Sequence, residues 1–128
     1  MTIHSYHDLI VWQKATELAK ETYLLVENFP KSELYALTAQ IKRSAVSIPS
    51  NIAEGRRRNT RKDYCHFLTY AFGSGGELES QIELVKRLPF GEHLNFTKVD
   101  DLLNQVMRML NKMIYQLQQK PEAKQLNS

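Results

Sequence analysis

Arg56, Arg57, Arg58, Arg61 and Lys62 place five cationic side chains within seven positions. A guanidinium's planar fork makes paired hydrogen bonds to phosphate oxygens, so this is chemistry for holding a polyanion. Residues 54 to 64 set these five against Glu54 and Asp63, a net +3. The whole chain carries 17 Lys and Arg against 14 Asp and Glu, also +3, so its entire excess lies in this one stretch. Focused charge suits a nucleic-acid partner, RNA or DNA. Lys42 is a candidate supporting charge. Tyr64 is the nearest aromatic, so contact with the phosphate backbone is expected to dominate over base stacking. The competing reading is a helix junction in which basic residues offset a helix dipole.

Other reactive residue types do not converge. His4 and His7 are three apart near the terminus, with no third ligand in register. A di-iron bundle needs two Glu-x-x-His pairs and two further glutamates, and the chain has no Glu-x-x-His. Cys65 and His66 are neighbours in sequence, but adjacent helical side chains point about 100° apart. The glycines of "FGSGGELES" have neither a preceding strand nor the lysine of a phosphate loop. The expectation is a protein without catalytic residues, metal, cofactor or small-molecule substrate.

Helical periodicity dominates the chain that must position the basic stretch. The first helix is predicted from Asp8, as N-cap, to Asn28. Leu9, Trp12, Ala19, Tyr23 and Val26 form one stripe, and Val11, Ala15, Leu18 and Leu25 an adjacent one. The second is predicted from Ser32 to Arg57, with Leu34, Leu37, Ile41, Ala45, Ile48 and Ile52 inward. The third, from Thr60 to Arg87, carries Tyr64, Phe67, Leu68, Ala71, Gly75, Leu78, Ile82 and Val85. The fourth starts with Thr97 as N-cap and Asp100 three residues on. Its stripe is Val99, Leu103, Val106, Leu110, Met113 and Leu117.

Four such helices with short loops predict an all-α, up-down-up-down antiparallel four-helix bundle. Residues 1–120 form a single domain, and 121–128 a polar, disordered tail. The expected core includes Trp12, Ile41, Ile48, Leu68, Leu78, Val106 and Leu110. Pro49 removes the bond to the Ala45 carbonyl, so a kinked second helix is expected, with a full break as the alternative. No segment is long and apolar enough to cross a membrane. The N-terminus lacks the pattern of a secretory signal. The lone Cys65 favours a reducing, cytoplasmic setting.

Two helix faces call for partners. Gln40, Arg43, Ser44, Ser47, Asn51 and Glu54 make a polar stripe beside the apolar one, and buried polar groups need hydrogen bonds. Mirroring the second helix on the third about Asn59 sets Ser47 opposite Ala71, Ser44 opposite Ser74, and Arg43 near Glu77. Close packing of the two backbones is the expected reason for Gly73, Gly75 and Gly76, with a local irregularity near Gly75 as the alternative. Tyr35, Val46, Ala53, Leu102 and Met109 are apolar surface beyond the needs of one core, and a second copy is the expected partner. The alternative is a wide stripe inside a tight bundle.

"DLIVWQKATELA", "FPKSELYALTAQIKRSAVSIPSNIAEG" and then "FLTYAFGSGGELE", in that order, resemble the 23S rRNA intervening-sequence protein family of bacterial four-helix bundles. The resemblance runs from about Tyr6 to Leu117. It implies a homopentameric ring, encoded in many members within sequences inserted into 23S rRNA genes. A related branch contains accessory proteins of diversity-generating retroelements, which bind nucleic acid and a reverse transcriptase. The chain departs from the usual pattern at Gly75 and Gly76, where bulkier residues are commoner. The family offers no catalytic residues to carry over. The function expected is therefore a non-enzymatic, oligomeric nucleic-acid binder. A structural or protein-interaction scaffold is the alternative.

Overall fold

The computed structural model describes residues 5–119. The tail expected at 121–128, and His4, lie outside the described residues. Four α-helices make up most of the described residues: α1 (Ile10–Val26), α2 (Leu37–Arg56), α3 (Arg61–Arg87) and α4 (Thr97–Gln119). Short 3-10 turns at Tyr6–Asp8, Lys31–Glu33 and Pro89–Gly91 lead into or link them. Among the described residues there is no strand.

Each helix packs on its neighbours in sequence, and α1 closes the circuit on α4. Their apolar faces meet in one core that includes Leu18, Ile41, Ile48, Ile52, Leu68, Leu78, Ile82, Val106 and Leu110. The second of the two stripes read on the first helix is the buried one. Val11, Ala15, Leu18 and Leu25 face inward with Thr22 and Val26, whereas Tyr23 is exposed. Trp12, expected in the core, is only half-buried against it. Its indole meets Tyr6 edge-on instead, at 5.1 Å between ring centroids.

The helix starts differ from expectation in physically simple ways. Asp8 belongs to the first 3-10 turn, capped by the Ser5 side chain, and Leu9 is the N-cap of α1. After Pro30 the chain makes a second 3-10 turn, so α2 starts at Leu37 rather than Ser32. Leu34 and Tyr35 therefore lie in the connection and are exposed. Thr60 caps α3 as expected, its hydroxyl accepting the Asp63 N–H at 3.0 Å. At α4 the capping acceptor is Asn95, whose Oδ1 takes the Thr97 N–H at 3.0 Å. Asp100 instead receives the Lys86 ammonium at 2.8 Å, tying α4 to α3.

The interior of α2 and α3 tolerates its unusual residues. Helix α2 runs through Pro49 unbroken. Helix α3 is continuous α-helix across Gly73, Gly75 and Gly76. Only Gly75 is close-packed: a Cβ there would lie 2.3 Å from the Met107 sulfur. Added Cβ atoms at Gly73 and Gly76 would meet nothing within 4 Å, so close packing does not explain those two. Gly91 is the opposite case, since a Cβ would fall 1.9 Å from the Val85 carbonyl oxygen. Backbone, unlike the Met107 side chain, cannot swing aside. Gly76→Ala is expected to stabilise the folded chain by up to about 1 kcal/mol, the helix-propensity difference, and Gly91→Ala to destabilise it. Chemical denaturation of both variants checks the opposite signs.

Candidate nucleic-acid interface

The seam between α2 and α3 carries the polar stripe and aims the basic stretch. The Ser44 hydroxyl donates to Glu77 Oε1 at 3.3 Å, and the Ser47 and Ser74 hydroxyls are 2.8 Å apart. Asn51 Nδ2 donates to the Ser47 carbonyl at 2.9 Å and to its hydroxyl at 3.0 Å. The pairs run in opposite order along the two helices, so α2 and α3 are antiparallel neighbours. Mirroring about Asn59 misjudges the register: each contact lies about one turn further along α3. The ion pair expected between Arg43 and Glu77, or another carboxylate across the two helices, is absent among the described residues. Arg43 and Glu77 line one cleft of about 440 Å³ with Gln40 and Gln81, but Glu77 is engaged by Ser44. The Gln81 Oε1 is buried there without a hydrogen-bond partner, a member of the polar seam not anticipated from spacing.

Where α2 ends, Gly55 lets the helices close. A Cβ on it would be 2.9 Å from Phe67 Cβ and 3.1 Å from the Tyr64 ring. This approach puts the arginines against α3. Arg58 sits over the Phe67 ring, 4.6 Å from its centroid, and Arg57 over Tyr6 at 5.2 Å. Glu54 grips both cations, at 2.7 Å for Arg58 and 4.0 Å for Arg57. Glu54 thus serves the basic turn rather than a contact across to α3. Burial pushes the Tyr64 phenol above its ordinary pKa, partly opposed by the Arg56 charge. Arg56 itself is half-buried, with Nε lacking a partner.

Arg57, Arg58 and Lys62 remain exposed, so Arg56, Arg57, Arg58, Arg61 and Lys62 are brought together around one helix-helix turn. Lys42 is not among them. It lies 14 residues before Arg56, about 21 Å along α2, over the Tyr23 ring at 4.9 Å. The aromatic company of the arginines was not legible in sequence spacing. Tyr6 arrives from the N-terminal turn, and Phe67 lies on the apolar stripe of the third helix.

The residues expected at an oligomer interface divide. Tyr35 is 93% exposed and Val46 is also exposed, while Ala53 is half-buried. Leu102 is only 9% exposed: α4 packs on both α1 and α3, and the wider stripe is used within the chain. Met109 packs partly on the core and also lines an apolar groove with Ile10 and Met113.

No helix among the described residues is long and apolar enough to cross a membrane. The family model for the 23S rRNA-intervening sequence protein matches residues 7–112. No curated protein matches the chain. A crystal structure of a protein of unknown function from the S23 ribosomal protein family of Bacteroides thetaiotaomicron VPI-5482 is similar, with a TM-score of 0.65 and 24% identity. The match covers 87% of this chain and 100% of that one, and at this identity the likeness concerns the fold.

The Tyr64 environment sets a pH test. A phenol whose pKa is raised by folding contributes stability fully below about pH 10, the unfolded value, and loses it as pH rises through the folded value. The parent is expected to lose more stability between pH 9 and 11 than Tyr64→Phe, measured by urea denaturation across about that range.

Proposed function

This chain belongs to the 23S rRNA-intervening sequence protein family, and we propose that it acts as a non-enzymatic, oligomeric bundle that binds nucleic acid, structured RNA above all, through the basic turn between α2 and α3. The observation that carries this reading is the gathering of the chain's whole net charge at one helix-helix turn, with Arg57, Arg58 and Lys62 exposed there. Exposed ion pairs are worth about 0–1 kcal/mol, so Glu54 can yield its arginines to phosphate at small cost. The contact is backbone-dominated and weakly selective for sequence.

In this reading the four helices run up-down-up-down, bent at Pro49 where the Ala45 carbonyl loses its donor. The turn then stands at one end of the bundle. Copies join through Tyr35, Val46 and Ala53, and through the apolar groove at Met109. A five-membered ring, as the resemblance implies, carries about +15 on one rim before screening, where weak contacts add. The setting is cytoplasmic, in keeping with a single cysteine. The scaffold reading retains one specific support, the two arginines already held by Glu54.

Titration of fluorescent RNA and DNA at about 50 and 200 mM salt tests the proposal. The parent is expected to lose affinity steeply between them, as phosphate contacts release counterions. Arg56→Glu/Arg57→Glu/Arg58→Glu is expected to bind at least about tenfold more weakly at the lower salt. Equal binding by a folded triple variant gives the field to the scaffold. For assembly, light scattering coupled to size exclusion is expected to give a multiple of the 14.9 kDa chain mass, and a monomer mass refutes it.

A further inference from the structure

A groove of about 520 Å³ opens between the first half of α3 and the last turns of α4, within the size range of sites that hold small organic groups. Arg61 and Lys62 stand at its mouth beside the basic turn. His66 and Tyr70 line it further along α3, and Leu117 closes it from α4. Lys62, His66 and Tyr70 recur at spacings of four, which puts them on one helix face, with Arg61 beside Lys62. Spacing along the sequence relates His66 to Asp63 and to Cys65 but gives no sign that Tyr70 joins it in a groove.

We propose that this groove seats an unpaired nucleotide, with the Tyr70 ring as the platform for its base and Lys62 and Arg61 on the phosphate side. The proposal rests on the nucleic-acid reading above and names the part of the ligand that reaches beyond the turn. Tyr70 is 51% exposed, unlike the core residues of α3. Its hydroxyl is 2.8 Å from His66 Nε2. The neighbouring rings stand perpendicular to it, His66 at 88° and Phe67 at 90°. Among the described residues no ring lies flat on Tyr70. Stacking on such a surface accepts any base, because every base has a π face. Lys62 lies about 12 Å before Tyr70 along the helix, so a strand leaving the basic turn passes cations before a base reaches the ring. Bases paired within a duplex are already stacked, so recognition of this kind selects single strands, loops and bulges.

The test measures fluorescence anisotropy with a single-stranded RNA, a DNA of the same sequence, and a fully paired RNA duplex. The proteins are the parent, Tyr70→Ala, Tyr70→Phe and the triple arginine variant. Tyr70→Ala is expected to weaken both single strands about tenfold, the effect of one lost stack, and to leave the duplex within about twofold. Tyr70→Phe keeps the ring and is expected to bind as the parent does. The triple variant weakens all three ligands. Single-strand binding by Tyr70→Ala equal to the parent's overturns the groove proposal, while weakening by the triple variant still upholds the turn. No loss in the triple variant overturns the reading beneath it. Cross-linking of 4-thiouridine RNA is a second measurement. Adducts at Tyr70 or its groove neighbours support the seat, and adducts confined to residues 56–58 refute it.

Discussion

The distance between α2 and α3 governs the rest of this molecule. At the end of α2 there is no room for a side chain: a Cβ on Gly55 would press on both Phe67 and Tyr64. Only glycine lets the last turn of α2 settle at this distance without displacing α3. Along the same seam, serine meets serine at Ser47 and Ser74. Small residues on facing ridges allow the two backbones to approach closely. Two features of the basic turn follow from that approach, Arg58 over Phe67 and Arg56 beside Tyr64.

Two kinds of force share the seam and do different jobs. Ile41, Ala45, Ile48 and Ile52 of α2 are buried with Leu68, Ala71 and Leu78 of α3. Apolar burial supplies most of the driving force but is non-directional, so it discriminates poorly between registers one turn apart. The hydrogen bonds discriminate better. Ser44 is buried and depends on Glu77. A slip of one turn would leave a hydroxyl and a carboxylate without each other. A made hydrogen bond adds about 1 kcal/mol net, while an orphaned buried group costs about 1–3 kcal/mol. The polar stripe therefore holds the register that the leucines and isoleucines permit.

At the basic turn the balance is between contacts within the chain and contacts to a partner. Glu54 and two aromatic faces occupy Arg57 and Arg58. These contacts orient the guanidiniums without removing them from solvent. Pre-set orientation lowers the entropy lost when a phosphate replaces the carboxylate. The same end of α3 continues into a groove with an exposed tyrosine, so cations and an aromatic surface follow one another along a single helix face.

Four helices, their approximate spans and most of the inward residues were legible in the sequence, because a 3.6-residue period is a local property. The charge focus at residues 56–62 was legible for the same reason. Helix starts were less so, since Leu9, which has no side chain able to cap, is the N-cap of α1 beside Asp8, and Asn95 rather than Thr97 supplies the acceptor at the start of α4. What tertiary structure alone decided is which neighbours each face acquired. Ser44 found Glu77 rather than Ser74, Leu102 turned into the core, and Tyr6 came back to meet Arg57. Periodicity states which way a side chain points around its own axis. It carries no information on how far one helix slides along another, because that is settled by the packing of all four helices at once.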